Sequence, residues 1–211
     1  MYNNLDISMK KPLLLASQSK ARRMLLQEAQ IPFTLLAQEA NEKECDWSQN
    51  LNDVVLSIAR HKMDNIIMPQ GHEGQIEWVL TADTLCYSQD GVICGKPIDR
   101  QDAINMIQKA RKGMQIATAF CLHKKQLKNG LWQTIKKKEQ VVAGFCIFDV
   151  PDSYMQEYLQ TTAIFAIAGA MCIEARGQLF LKEVSGSYSA ILGLPMYELG
   201  KALEELGFFD Q

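Results

Sequence analysis

Hydrophobic and polar positions alternate along this chain with two different periods. An unbroken apolar run, Leu13-Leu14-Leu15-Ala16, stops at Ser17-Gln18-Ser19. It predicts a buried strand, a turn, and a helix over 20–30 with Ser19 as N-cap. A second strand is predicted over 33–37, followed by a polar, acidic loop over 38–49. Leu51, Val54, Val55, Ile58 and Ile66 then recur at helical spacing and predict a helix over 51–68. The run 78–83 reads as a strand that ends in the carboxylate of Asp83, with a hairpin turn at Gln89-Asp90-Gly91. Val92-Ile93-Cys94 leads into a Gly95-Lys96-Pro97 loop, and a helix begins at Asp99 or Asp102 and stops by Gly113, a common C′ residue. Asn129-Gly130 joins strands over 114–123 and 131–150 in a long hairpin. A helix over 152–160, a strand over 178–184 and an amphipathic helix over 196–206 complete the order. Helices alternating with strands and long hairpins argue for an α/β fold on a mixed sheet.

Two cations interrupt the apolar faces. Lys62 lies on the stripe of Leu51, Val55, Ile58 and Ile66, and Arg22 lies beside Leu25 and Leu26, whereas Arg23 points away. Each either snorkels to water or is buried against a partner. The turn at Ser17-Gln18-Ser19 offers free backbone N–H groups, hydroxyls and Arg22 to an anion, although a serine there is most often only a cap. Asp83, Glu39 and Glu42 follow strand ends and are candidates to meet in space. Carboxylates facing cations and a helix N-terminus suit phosphoryl chemistry. Lys96 is a further candidate phosphate contact, though a lysine in such a loop is more often a surface residue.

Composition narrows the classes. The chain has 211 residues, 47% hydrophobic and 22% charged, with a formal net charge of −2. One domain spanning 1–211, with a core that needs no cross-links, fits that length. A polyanion would be held by a local pocket, not by a broad basic face. The lysines around the 129–130 hairpin read as a solvated tip, so no nucleic-acid partner is expected. Cys45, Cys86, Cys94, Cys121, Cys146 and Cys172 form no CxxC pair and read as reduced core residues. No apolar run approaches the roughly 18 residues of a membrane span, and 1–11 lacks the apolar stretch of a secretory signal. A cytoplasmic protein with no membrane partner is expected.

The order of these motifs resembles the Maf family of nucleotide pyrophosphatases, almost end to end. Leu15-Ala16-Ser17-Gln18-Ser19-Lys20-Ala21-Arg22-Arg23-Met24-Leu25-Leu26 is similar to the family's opening LASxSPxRRxLL. Ile58-Ala59-Arg60-His61-Lys62 resembles LAxxK, Thr81-Ala82-Asp83-Thr84 resembles GADT, and Cys94-Gly95-Lys96-Pro97-Ile98-Asp99 resembles xGKPxD. Phe33 through Glu42, Ala168-Gly169-Ala170, Gly186-Ser187-Tyr188 and Gly193-Leu194-Pro195 match later signatures.

The resemblance implies a twisted mixed sheet with flanking helices, in two lobes around a central cleft. It implies hydrolysis of a nucleoside triphosphate to monophosphate and pyrophosphate with a divalent cation (Mg²⁺, Mn²⁺ or Co²⁺). Asp83 would activate water, and Glu42 and Asp83 would face the metal. Ser17, Ser19, Arg22, Lys62, Lys96, Thr84 and Glu174 would hold substrate, with Ala21, Thr84 and Glu174 setting specificity. A homodimer is among the states it allows.

The departures are Lys20 for proline, Gln38 for the loop proline, Asn41 for an aspartate, and Ala166-Ile167 for Asp-Lys. Glu174 with no arginine at position 21 leans toward the branch that takes 7-methyl-GTP, although that branch carries tryptophan where Ala21 stands. The rival expectation is a nucleotide-binding regulator of septum formation that has lost catalysis.

Overall fold

The computed structural model describes residues 11–160 and 164–210. The expectation about a leader in 1–11 falls almost wholly outside them. Seven strands form one sheet: β1 (Leu13–Leu15), β2 (Phe33–Leu35), β3 (Ile76–Ser88), β4 (Ile93–Cys94), β5 (Met114–Lys128), β6 (Leu131–Phe148) and β7 (Leu181–Gly186). Their order is β2-β1-β3-β5-β6-β7, with β4 also paired to β3. The β2-β1-β3 part is parallel and the rest antiparallel, so the predicted mixed sheet is present. The helices are α1 (Lys20–Glu28), α2 (Leu51–Asp64), α3 (Arg100–Ala110), α4 (Asp152–Tyr158), α5 (Tyr188–Leu192) and α6 (Met196–Glu205).

Side chains alternate across a strand, and here that alternation assigns three apolar clusters to two faces. Even-numbered β3 positions Leu80 and Ala82 join Phe120, Leu122, Leu26 and Leu203 beneath α1 and α6. On the same face, Cys86 joins Ile116, Ile107 and Met155 beneath α3 and α4. Odd-numbered Val79 and Leu85 pack with Val55, Ile58 and Ala119 beneath α2 on the opposite face.

Several predicted boundaries change. β3 does not end at Asp83: it pairs with β5 from Ile76↔Gln126 to Ser88↔Met114. A partner strand alongside keeps Asp83 in mid-strand, where an apolar run alone could not show it. α2 stops at Asp64, capped by Asn65, and Ile66 instead bridges to Gln38. The strand expected over 178–184 begins as a short 3-10 helix, Ala175–Phe180, and pairs only from Leu181. Helix α5 went unpredicted, being too short for a periodic signal. Lys124 does not stand free at a hairpin tip: its Nζ lies 4.7 Å from the centroid of the Trp78 ring and donates to the Leu206 carbonyl.

The other edge of β3 is interrupted. β1 pairs with it only as far as Leu80, and β4 joins it only at Cys86. Residues 81–85 therefore face a notch in the sheet, between the C-terminal ends of β1 and β4.

Candidate functional site

Each wall of the notch supplies charged groups for a local reason. β1 ends when Ala16 N–H bonds to the Leu80 carbonyl. Ser17 and Ser19 then turn the chain into α1, with Ser19 Oγ accepting from Arg22 N–H as the expected cap. The first turn of α1 places Arg22 in the notch, 7% exposed. α2 delivers Lys62 from the opposite face of the sheet, 8% exposed, so of the two alternatives burial holds for both cations and neither snorkels. Lys96 follows β4 and is exposed.

The carboxylates converge on Lys62. Its Nζ lies 2.6 Å from Asp83 Oδ1 and 2.8 Å from Glu42 Oε1. Glu42 reaches it from the short 3-10 helix Glu42–Glu44, which Asn41 caps by accepting from Lys43 N–H. Asn41 Nδ2 also donates to Glu44 Oε1 at 3.1 Å, a bond that an aspartate at position 41 could not make. Glu39 is exposed and holds the loop to Asn65 through its backbone.

Burial raises the Asp83 pKa above its ordinary value, and the nearby Lys62 and Arg22 charges only partly offset this. Burial would also raise Glu42, but Lys62, then Lys96 and Arg22, outweigh it and hold that carboxyl low. Burial likewise lowers Arg22, against Asp83 and Glu42. Arg22, Glu42, Lys62 and Asp83 thus act on one another across the notch, and Lys96 acts on Glu42.

Arg22 is fixed on three sides. Nε donates to the Gly193 carbonyl at 2.8 Å, NH1 to Ser17 Oγ at 2.9 Å, and NH2 to Thr84 Oγ1 at 3.0 Å. Of five guanidinium N–H donors, two remain for a ligand after these bonds. Thr84 in turn bonds Thr118 Oγ1 at 2.8 Å, and Thr118 donates to the Ala190 carbonyl at 2.7 Å. Sequence reasoning passed over Thr118 and the carbonyls of Ala190 and Gly193. Gly193 stood in a recognised Gly-Leu-Pro motif without a role; its φ of 114° at the C-terminus of α5 turns its carbonyl to Arg22.

Glu174 does not join the five. It is half-buried on the segment after residue 164, where Oε2 accepts from Cys172 Sγ at 3.6 Å. That segment meets the notch wall through Gly169 N–H, which donates to the Gly95 carbonyl at 2.9 Å. Ala21 is half-buried, one residue before Arg22. All six cysteines are free, four of them buried, as expected. No helix among the described residues is long and apolar enough to cross a membrane.

Fold and site together define an α/β protein whose charged groups meet at a break in a mixed sheet. Comparison with known sequences makes the class specific. The chain belongs to the Maf family: the family model described as Maf-like protein matches residues 12–206. A protein of Halalkalibacterium halodurans named dTTP/UTP pyrophosphatase is 32% identical over 199 residues, 94% of this chain and 97% of the relative. A protein of the same name from Fusobacterium nucleatum is 30% identical over 197 residues, 93% and 96% of the two chains. Another, from Hydrogenovibrio crunogenus, is 30% identical over 209 residues, covering 96% and 100%.

Proposed function

We propose that this protein hydrolyses a nucleoside triphosphate between the α- and β-phosphates, releasing the monophosphate and pyrophosphate. The observation that carries the reading is the convergence of Asp83 and Glu42 on Lys62, beside Arg22 and the α1 N-terminus. The names of the relatives support the same chemistry.

In this mechanism the triphosphate lies in the notch. The turn at Ser17-Gln18-Ser19, whose Ser19 N–H is already taken by Ser17 Oγ, the two uncommitted donors of Arg22, and Lys96 hold its oxygens. Asp83 receives the proton of a water attacking the α-phosphorus. The water oxygen bonds to that phosphorus, the bond to the bridging oxygen breaks, and its electron pair leaves with pyrophosphate. The Lys62 ammonium engages Oδ1, so Oδ2 is the oxygen that takes the proton. A base with a pKa raised by burial takes a proton more readily than a surface carboxylate. Lys62 also holds Asp83 and Glu42 side by side against their mutual repulsion.

The donor set fits a hard divalent cation. Two carboxylates sharing one ammonium offer oxygen ligands only. Among the described residues, no group of three or more His, Cys, Asp or Glu side chains gathers into a closed cage. Mg²⁺ or Mn²⁺ commonly takes one or two carboxylates and completes its shell with substrate oxygens and water. Held by Glu42 and Asp83, such an ion would neutralise charge on the phosphates.

The base is assigned to Glu174. Its carboxylate accepts the N1–H and 2-amino edge of guanine and offsets the charge of a methylated ring, which favours 7-methyl-GTP; the relatives' names favour dTTP and UTP.

The test is release of pyrophosphate and monophosphate from a panel containing 7-methyl-GTP, GTP, UTP and dTTP, with Mg²⁺, Mn²⁺ or Co²⁺. Turnover of at least one of them is expected. Binding without release would contradict the enzyme and support a nucleotide-binding regulator. Preference for UTP or dTTP would remove Glu174 from the assignment.

A further inference from the structure

We propose that Thr118 is a positioning residue, whose buried hydroxyl holds Thr84 and, through it, the Arg22 guanidinium in the orientation that receives substrate phosphate. The inference rests on the reading of the notch as a nucleotide site and extends it to a residue on the neighbouring strand.

Proton counting sets the direction of the chain. A guanidinium donates and cannot accept; a carbonyl accepts and cannot donate. The link from Arg22 NH2 to Thr84 Oγ1 therefore starts the series, and the link from Thr118 Oγ1 to the Ala190 carbonyl ends it. Each hydroxyl has one proton. Thr118 spends its proton on Ala190, so in the Thr84–Thr118 contact at 2.8 Å the donor is Thr84. The order is Arg22 N–H to Thr84 O–H to Thr118 O–H to the Ala190 carbonyl. Thr84 then has no proton left for substrate, and its role is to hold Arg22.

The surroundings make this more than a satisfied core threonine. Thr118 is fully buried and its partner Thr84 lies directly across in register. The pair sits between the apolar pairs Ala82–Phe120 and Cys86–Ile116, at the seam of two hydrophobic clusters. A valine would fill that seam with nearly the same volume. A buried hydroxyl needs one acceptor, and Ala190 already supplies it; the second bond serves Thr84. Without Thr118, the Thr84 hydroxyl turns to another acceptor and its lone pair leaves Arg22 NH2. Ser17 and Gly193 still hold the other two nitrogens, so the guanidinium tilts without being lost.

The experiment compares wild type with T118V, T118S and T84V, using inorganic tripolyphosphate as the calorimetric probe and ¹⁵N-arginine NMR of Arg22 as the second readout, assigned with R22K. T118V should weaken tripolyphosphate about tenfold, the scale of one lost charge-assisted hydrogen bond. In turnover it should raise KM more than it lowers kcat, because Arg22 holds the phosphates before and during reaction. The Arg22 NH2 protons should exchange faster. T118S should return both readouts to within about twofold of wild type, since its hydroxyl repeats the chain. T84V breaks the same chain from its more exposed end and should match T118V, which keeps the test open if T118V folds poorly. In an R22A background T118V should cause no further loss of affinity. Unchanged Arg22 signals and affinity in T118V overturn the proposal, and so does an equal loss in the R22A background. A wild type that turns over no nucleotide contradicts the proposed function instead, while the Arg22 signals still decide the role of Thr118.

Discussion

At the scale of single residues, Asp83 and Lys62 illustrate how burial can create reactivity. A carboxylate and an ammonium removed from water lose hydration that their mutual attraction only partly returns. Asp83 accordingly keeps a pKa above the ordinary range, near 3.9 for a free aspartate. In the proposed mechanism its ionised form takes the proton, so activity should fall as pH drops through that raised value. D83N should abolish turnover and leave the melting temperature unchanged or higher, because a buried charge is removed while an acceptor for Lys62 remains. K62M should push the acid limb of kcat/KM to higher pH, since Asp83 loses its nearest cation. It should also cost about 3 kcal/mol in a denaturant melt at neutral pH, the usual price of leaving one member of a buried pair alone. An acid limb that K62M leaves in place would separate Asp83 from the pH profile.

Elements hold these residues together through a few polar clamps. Glu139 on β6 accepts from His123 on β5 at 3.2 Å, Arg60 on α2 at 2.8 Å, and Lys137. Arg60 lies two residues before Lys62, so this clamp secures the end of α2 that carries the site. Burial lowers the His123 pKa against the pull of Glu139. Burial would raise Glu139, but His123, Arg60 and Lys137 hold it below its ordinary value. Both signs agree: the neutral histidine and ionised glutamate contribute stability that is present above the unfolded values, near 6.5 and 4.3, and lost as pH falls through the folded ones. E139Q should reduce stability by about 1–2 kcal/mol at pH 7 and, because His123 loses the group that raises its pKa, steepen the loss of stability as pH falls below about 6.5. An unchanged melting profile between pH 7 and 4 would remove the clamp from the account. G193A places an alanine at φ 114° and should cost about 1–3 kcal/mol, with KM rising as the carbonyl leaves Arg22.

What was legible in the chain also sorts by element. Helical spacing put Lys62 on an apolar stripe because α2 is long enough for a periodic pattern, and left open whether it snorkels; its ion pairs with Asp83 and Glu42 decide for burial. The strand–turn–helix at Ser17-Ser19 was readable because β1 is purely apolar and the serines break it. Asp83 was found, but misplaced at a strand end: pairing with β5 is a long-range fact that no local pattern carries. Thr118 was invisible for the same reason. Within its strand it is one polar residue among buried neighbours, and only the register with Thr84 gives it meaning. Glu174 entered through family resemblance alone, and its place on an irregular segment has no periodic signal.

For the molecule as a whole, the notch reconciles a net charge of −2 with a polyanionic substrate. Cations approach from both faces of the sheet, Arg22 from α1 and Lys62 from α2, and meet only where β1 and β4 leave β3 unpaired. Lys96, exposed on the far wall, should act mainly in binding: K96A should raise KM several-fold with kcat and melting temperature nearly unchanged. A drop in kcat alone would put Lys96 in the chemical step.

The central claim is that these groups direct water to the α-phosphorus. Hydrolysis of a turned-over nucleoside triphosphate in ¹⁸O-water, with mass analysis of both products, tests it most directly. The account predicts ¹⁸O in the nucleoside monophosphate and none in pyrophosphate. Label in the pyrophosphate, or release of inorganic phosphate from the γ-position, would contradict it.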